Sequence, residues 1–234
     1  MCGRYALVDD LKKVLAGLPV DMVPDLPACY NLAPGMPIPV LIYNRQQQLT
    51  TDLMQWGLVP HWSKDLAQAP KPINARSETA AQKPAFRGPW RQHRGLVPAS
   101  GFYEWQNRRA TGKQPHFISR HDKQPLFFAA LWDEWAAPSG EILLSCTILT
   151  CPANQTLKPL HARMPVMITP DQFDSWLSPA ARPKHLQAMM RPADDDILQA
   201  RPVSTYVNNV RHDDPGCLAQ PEPTIPFPEQ GSLF

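Results

Sequence analysis

Twenty-eight of the 234 residues are proline, and no other feature restricts the fold as much. Proline lacks an amide N–H and clashes with the preceding turn, so it costs a helix interior roughly 3 kcal/mol. Few of these prolines sit inside long helical patterns, so helix content should be modest and confined to short pieces. With 43% hydrophobic residues the chain can still bury a core. A mixed α+β, mainly β architecture with short peripheral helices is what remains.

Periodicity places the elements. Asp9 can cap a short helix over Leu11 to Leu18, apolar at 11, 14, 15 and 18. Pro24 to Pro39 reads as irregular. Ile38 to Tyr43 and Leu49 to Leu58 suggest a hairpin, and Gly95 to Pro98 with Gly101 to Gln106 two short strands around a tight turn. The apolar runs Pro125 to Trp132 and Ile142 to Thr150 should be central strands. Short helices are expected over Pro152 to Leu160, Thr169 to Leu177 and Lys184 to Met190, and a last strand over Arg201 to Tyr206. No composition break divides the chain. One domain over 1–215 is expected, with a proline-rich tail over 216–234.

Several classes of protein are set aside. No apolar run reaches the ~18 residues of a membrane span, and no basic-then-apolar leader opens the chain, so a cytoplasmic protein is expected. Five cysteines without a CxxC pair argue against a disulfide framework or a structural zinc site. No metal and no cofactor are expected. The formal charge of +2 is nearly neutral, so a nucleic-acid partner would have to be held by a local arginine cluster.

Chemistry concentrates at the start. If Met1 is removed, Cys2 presents an α-amine and a thiol on adjacent carbons. The amine, with a pKa near ~8, is partly neutral at pH 7 and can condense with an aldehyde. The thiol can then close a thiazolidine on the imine. The plainer reading is a small apolar residue tucked under the first strand. Glu104 lies on the Phe102 face of an aromatic-rich strand, opposite to Tyr103 and Trp105; it is exposed, paired, or held at raised pKa for proton transfer. Trp105 is expected in the core.

The motifs Met1-Cys2-Gly3-Arg4-Tyr5, Tyr30-Asn31-Leu32-Ala33-Pro34, Trp56 to Trp62, Asn74 to Thr79, Gly101 to Trp105, His161 to Pro165, and Pro202-Val203-Ser204 with Val207 to Val210 resemble, in order, those of the SRAP family. The resemblance implies a compact, mostly β domain with a barrel-like core. It further implies single-stranded DNA binding and a covalent link between the terminal cysteine and the ring-opened sugar of an abasic site. Matched by motif, Cys2 would be the nucleophile, with Asn74, Glu104 and His161 in support. The chemistry suits them. Opening the sugar hemiacetal and dehydrating a carbinolamine need proton carriers near neutrality, as His161 and Glu104 can be, whereas the Asn74 amide can only orient. A loop cap for Asn74 and a structural role for His161 are the plain alternatives.

Arg4, Arg76 and Arg163 each lie within two residues of one of these positions and suit phosphates. Trp62, and less so His61, could stack on a base, and Arg87 and Arg91 could extend the surface. A monomer acting on single-stranded DNA that contains abasic sites is expected. A cysteine peptidase using Cys2, including self-removal of Met1, and a non-catalytic single-strand binder are the alternative classes.

Overall fold

The computed structural model describes residues 2–108 and 112–222. The expected loss of Met1 and the fate of 223–234 lie outside the described residues. Among the described residues, twelve strands and five short helices, numbered in chain order, form two connected layers. Strands β3 (Pro37–Tyr43), β4 (Leu49–Trp56), β6 (Arg94–Ala99), β9 (Leu126–Ala136) and β10 (Ile142–Pro152) close on themselves, because β10 pairs with both β4 and β9. All pairings in this barrel are antiparallel except β10 with β4. Closure leaves those strands few free edges. Short strands β5 (Asn74–Arg76) and β11 (Arg163–Pro165) extend β10 at its far end.

The second layer is an open sheet in the order β12-β8-β7-β1-β2. It comprises β1 (Tyr5–Leu7), β2 (Cys29–Leu32), β7 (Gly101–Arg108), β8 (Gly112–Arg120) and β12 (Leu198–Pro202). Alternation gives this sheet two apolar faces. Tyr5 and Phe102 point at the barrel, where Tyr5 meets Trp56 and Phe128 edge-on with ring centres 5.6 and 6.2 Å apart, and Phe102 meets Phe128 at 5.7 Å. Each such pair adds about 1 kcal/mol beyond area burial. Ala6, Tyr103 and Phe117 point the other way, onto Val203, Val207 and Cys217.

The expected hairpin over 38–58 is present. The strands flanking Ser100 do not pair with each other as a tight-turn hairpin would. Instead β6 enters the barrel and β7 the open sheet. The Ser100 N–H donates to Ala6 O, and its hydroxyl accepts from the Val8 N–H. Gly101 is needed at this crossing, since a Cβ there would lie 2.3 Å from the Phe117 ring and 2.5 Å from Ile118 O. The first helix, α1 (Leu11–Val14), is shorter than expected. It is capped by Asp10 and not Asp9, and the chain turns away at Gly17 with φ +85°.

No helix forms over Pro152 to Leu160. The Asn154 side chain takes the Leu157 N–H and donates to Ala193 O, which competes with helical bonding. The last strand is shifted to Leu198–Pro202, where proline ends it, and Thr205–Asn208 is a 3-10 turn.

Helix α2 (Ser77–Ala80) follows β5 directly, and α3 (Pro84–Gln92) was concealed by its prolines. Pro84 stands in its first turn, where no N–H is needed. Phe86, Pro89 and Trp90 face the core. Buried Arg94 donates to Trp90 O and Arg91 O at the end of α3 and to Trp176 O in α4 (Phe173–Leu177). Burial lowers its pKa to about 10. Helix α5 (Pro183–Met189) matches expectation within a residue. Pro215–Leu218 is a 3-10 turn with Cys217 buried, so packing continues past the expected boundary at residue 215. No described helix is long and apolar enough to cross a membrane.

Candidate active site

Strand β1 runs antiparallel to β7, with Tyr5 opposite Phe102, and the Tyr103 N–H donates to Arg4 O at 2.9 Å. Continued toward the N-terminus, this register sets Gly3 against Glu104. Glu104 projects from the barrel-facing side of β7, because it is two residues from Phe102. There it is 6% exposed, and Cys2 is fully buried nearby. Burial, and then the Glu104 carboxylate, push the Cys2 thiol well above its ordinary pKa, with the Arg4 backbone N–H working against them. In this state the thiol holds its proton.

The barrel supplies the opposing wall. Asn74 starts β5, in parallel register with Ile148 of β10, and its Nδ2 donates to Cys2 O at 2.7 Å. Its Oδ1 is buried and has no hydrogen-bond partner among the described residues. An amide at this position thus tethers the chain's first residues to the barrel and keeps one acceptor in reserve. Cys2, Asn74 and Glu104 are brought together from three segments.

His161 lies just before β11, which pairs with β10 beside the stretch that pairs with β5. Arg76 lies opposite Thr150 across β5 and β10, and Arg163 lies opposite Pro152 across β11 and β10. His161 Nδ1 faces the Arg163 backbone, 3.0 Å from its N and 3.2 Å from its O. The ring is half-buried.

The arginines fall into different environments. Arg76 is exposed at the end of β5. Arg163 is not a free cation, since Nη1 and Nη2 each reach a Glu78 oxygen at 2.8 Å. Its Nε donates to Thr150 Oγ1 at 3.2 Å and Nη2 also to Thr150 O at 2.5 Å. That pairing holds the Glu78 carboxyl below its usual range. Arg4 is half-buried, with Nη1 donating to Asn31 Oδ1 at 2.7 Å and to Val207 O at 3.0 Å, and with its guanidinium 5.7 Å from the Trp105 ring centre. Burial lowers the Arg4 pKa. Trp105 itself is only partly buried and its Nε1 donates to Asn208 Oδ1, so it belongs to the wall around Arg4 as much as to the core.

Trp62 is 52% exposed on the loop after β4. Arg87 and Arg91 lie exposed on α3.

Four residues escaped the sequence reading. Asn31 ties the 30–34 and 207–210 motifs together by donating to Val207 O, Asn209 O and His212 O. Glu78 fixes Arg163, and Asp133 holds the loop that carries Trp62. His116, 8% exposed, stands directly across from Glu104 in the β7–β8 ladder. Its strand was not anticipated, so its partner could not be. No group of three or more His, Cys, Asp or Glu residues suited to a metal ion exists among the described residues. A cleft of about 820 Å³ lined by Val14, Phe117 and Arg120 contains none of the site residues.

Residues 1–210 match the family model "SOS response associated peptidase (SRAP)". The chain is 35% identical over 221 residues to the abasic site processing protein YoqW of Bacillus subtilis, covering 92% of this chain and 97% of that protein. It is 32% identical to the abasic site processing protein YedK of Escherichia coli, covering 91% and 96%. With the abasic site processing protein HMCES of Gallus gallus it shares 35% over 84% of this chain and 67% of that one. A crystal structure of a Bacteroides thetaiotaomicron protein superposes with a TM-score of 0.84 at 22% identity, over 94% of this chain and all of that one. On its motifs, its fold and this match over nearly its whole length, the chain belongs to the SRAP family.

Proposed function

We propose that this protein binds single-stranded DNA and traps abasic sites by forming a thiazolidine between Cys2 and the sugar aldehyde. The observation that carries the reading is Cys2 itself. The residue that would become the N-terminus is buried beside Glu104 and tethered by Asn74. The names of its relatives point the same way.

The steps follow from the residues. His161 moves a proton to open the cyclic hemiacetal and expose the C1′ aldehyde. The neutral Cys2 amine adds to C1′, oriented by the Asn74 carbonyl oxygen. Glu104 takes the proton that the amine sheds on addition and returns it to the carbinolamine hydroxyl, which leaves as water. The thiol then adds to the imine carbon, its sulfur bonding to C1′ and its proton passing to nitrogen. Amine, thiol and aldehyde become thiazolidine and water, and no oxidant or cofactor is needed. A buried, protonated thiol suits this order, because a free thiolate would be open to side reactions before the imine exists. If the ring does not close, the imine acidifies C2′ and permits strand cleavage, a weak lyase activity. The same thiol, with His161 as its base, can serve the peptidase step that removes Met1 and frees the amine.

DNA is held by Arg76 on phosphate and by Trp62 on a base, with Arg4 and Arg163 shaping the wall behind them. We place the activity in the cytoplasm, in a monomeric chain.

The test is incubation with a single-stranded oligonucleotide carrying one abasic site, read by denaturing gel and intact mass. The expected product is a heat-stable adduct one oligonucleotide heavier, lacking Met1, and absent with Cys2→Ala. No adduct from a chain verified to begin at Cys2 would refute the trap.

A further inference from the structure

Asp133 is 3% exposed in the middle of β9, yet its carboxylate faces two histidines from distant segments. Oδ2 accepts from the His61 backbone N–H at 3.0 Å and from its Nδ1 at 2.9 Å, and Oδ1 lies 3.7 Å from His93 Nδ1. His61 immediately precedes Trp62, and His93 caps the end of α3, which carries Arg87 and Arg91. The flanking residues of β9 grip the same two segments. Trp132 stacks on His93 with ring centres 4.3 Å apart, and Trp135 Nε1 donates to Ser63 O at 2.7 Å. A buried carboxylate is costly unless it is hydrogen-bonded and paired. One held by two otherwise unrelated segments is a joint between them. Burial tends to raise its pKa, but the contacts with His93 and His61 prevail and hold it ionised, below the usual range.

We propose that Asp133 is a positioning residue for the DNA surface, its carboxylate clamping the His61–Trp62 loop to the barrel and to the end of α3 and so setting where Trp62 stands. The functional half of this rests on the reading of Trp62 as a base-stacking residue; the mechanical half does not.

The test joins a ligand-free readout to a binding cycle. In amide hydrogen exchange, Asp133→Asn should speed exchange at His61 to Ser63 by about tenfold, through loss of a charge-assisted acceptor. The end of α3 should change less, because Arg94 also holds it, and the barrel amides should not change. Where Asp133→Asn does not fold, His61→Gln tests the loop side alone and should give the same acceleration there. Unchanged exchange in the loop overturns the proposal.

In the cycle, affinity for an undamaged single-stranded oligonucleotide should fall about fivefold with Asp133→Asn, and by no further factor when the change is made in Trp62→Ala. Equal losses in both backgrounds would overturn the positioning role. Faster loop exchange with no effect of Trp62→Ala on binding would leave the clamp standing and refute Trp62 as the contact.

Discussion

The inner pocket and the outer rim of the site are built on opposite principles. Cys2, Glu104 and Asn74 are fully or largely withdrawn from water and locked by one hydrogen bond and one strand register. Trp62 and Arg76 stand in solvent, each on a backbone segment anchored to the barrel. Reactive groups gain from exclusion of water, since electrostatic influence grows as the local dielectric falls. Groups that meet DNA must stay exposed to meet it. On the proposed function, bond making belongs to the pocket and affinity to the rim, and each prediction tests that division.

The largest effect is expected inside. Glu104→Gln should slow adduct formation on abasic single strands by about 10² to 10⁴-fold, the usual span for one acid–base group. Affinity for undamaged single strands, measured by fluorescence anisotropy, should hold. A parallel loss of affinity would erase the division. At the rim, Trp62→Ala should weaken that affinity by about 1–3 kcal/mol, the worth of one base–aromatic stack. The single-turnover rate of adduct formation at saturating DNA should be unchanged.

Arg163 sharpens the comparison, because its sequence position suggests rim and its contacts say frame. Arg163→Ala should lower stability by about 1–3 kcal/mol in a denaturant titration, leaving Thr150 O without its partner. Its effect on the salt dependence of DNA binding should be small. Arg76→Ala should show the reverse, with little change in stability and a salt slope reduced by about one.

The smallest effect concerns acid. Asp133 has a folded pKa below its unfolded value, so the stabilisation it supplies is present above about pH 4 and disappears as pH falls through the folded value. Wild type should therefore lose more stability than Asp133→Asn as the pH falls below about 4. Parallel acid-unfolding curves would show that His61 and His93 contribute nothing through this carboxylate.

The candidates for the site were legible before the fold. Cys2, Asn74, Glu104 and His161 stand in motifs whose residue types already state their chemistry, and the strand alternation that sets Glu104 beside Phe102 is local. What Arg163 would do was not legible, because Glu78 lies 85 residues away in the chain. His116 was hidden for a similar reason, as its strand carries a proline and a glycine and is recognised only once β7 pairs with it. Helix α3 was masked by Pro84 and Pro89, whose cost is offset by burying Phe86 and Trp90.

By itself the sequence determined the hairpin over 38–58, the two long apolar runs that became β9 and β10, and helices near α4 and α5, and it offered Cys2, Asn74, Glu104 and His161 as candidates, because propensity, alternation and side-chain chemistry act within a few residues. The tertiary structure alone decided that β6 and β7 part into different sheets, that two of the three arginines are tied into the frame, and that one buried aspartate holds the loop bearing Trp62. Those outcomes depend on which distant groups compete for the same hydrogen bond or the same cavity, and that competition is settled only when the whole chain is packed.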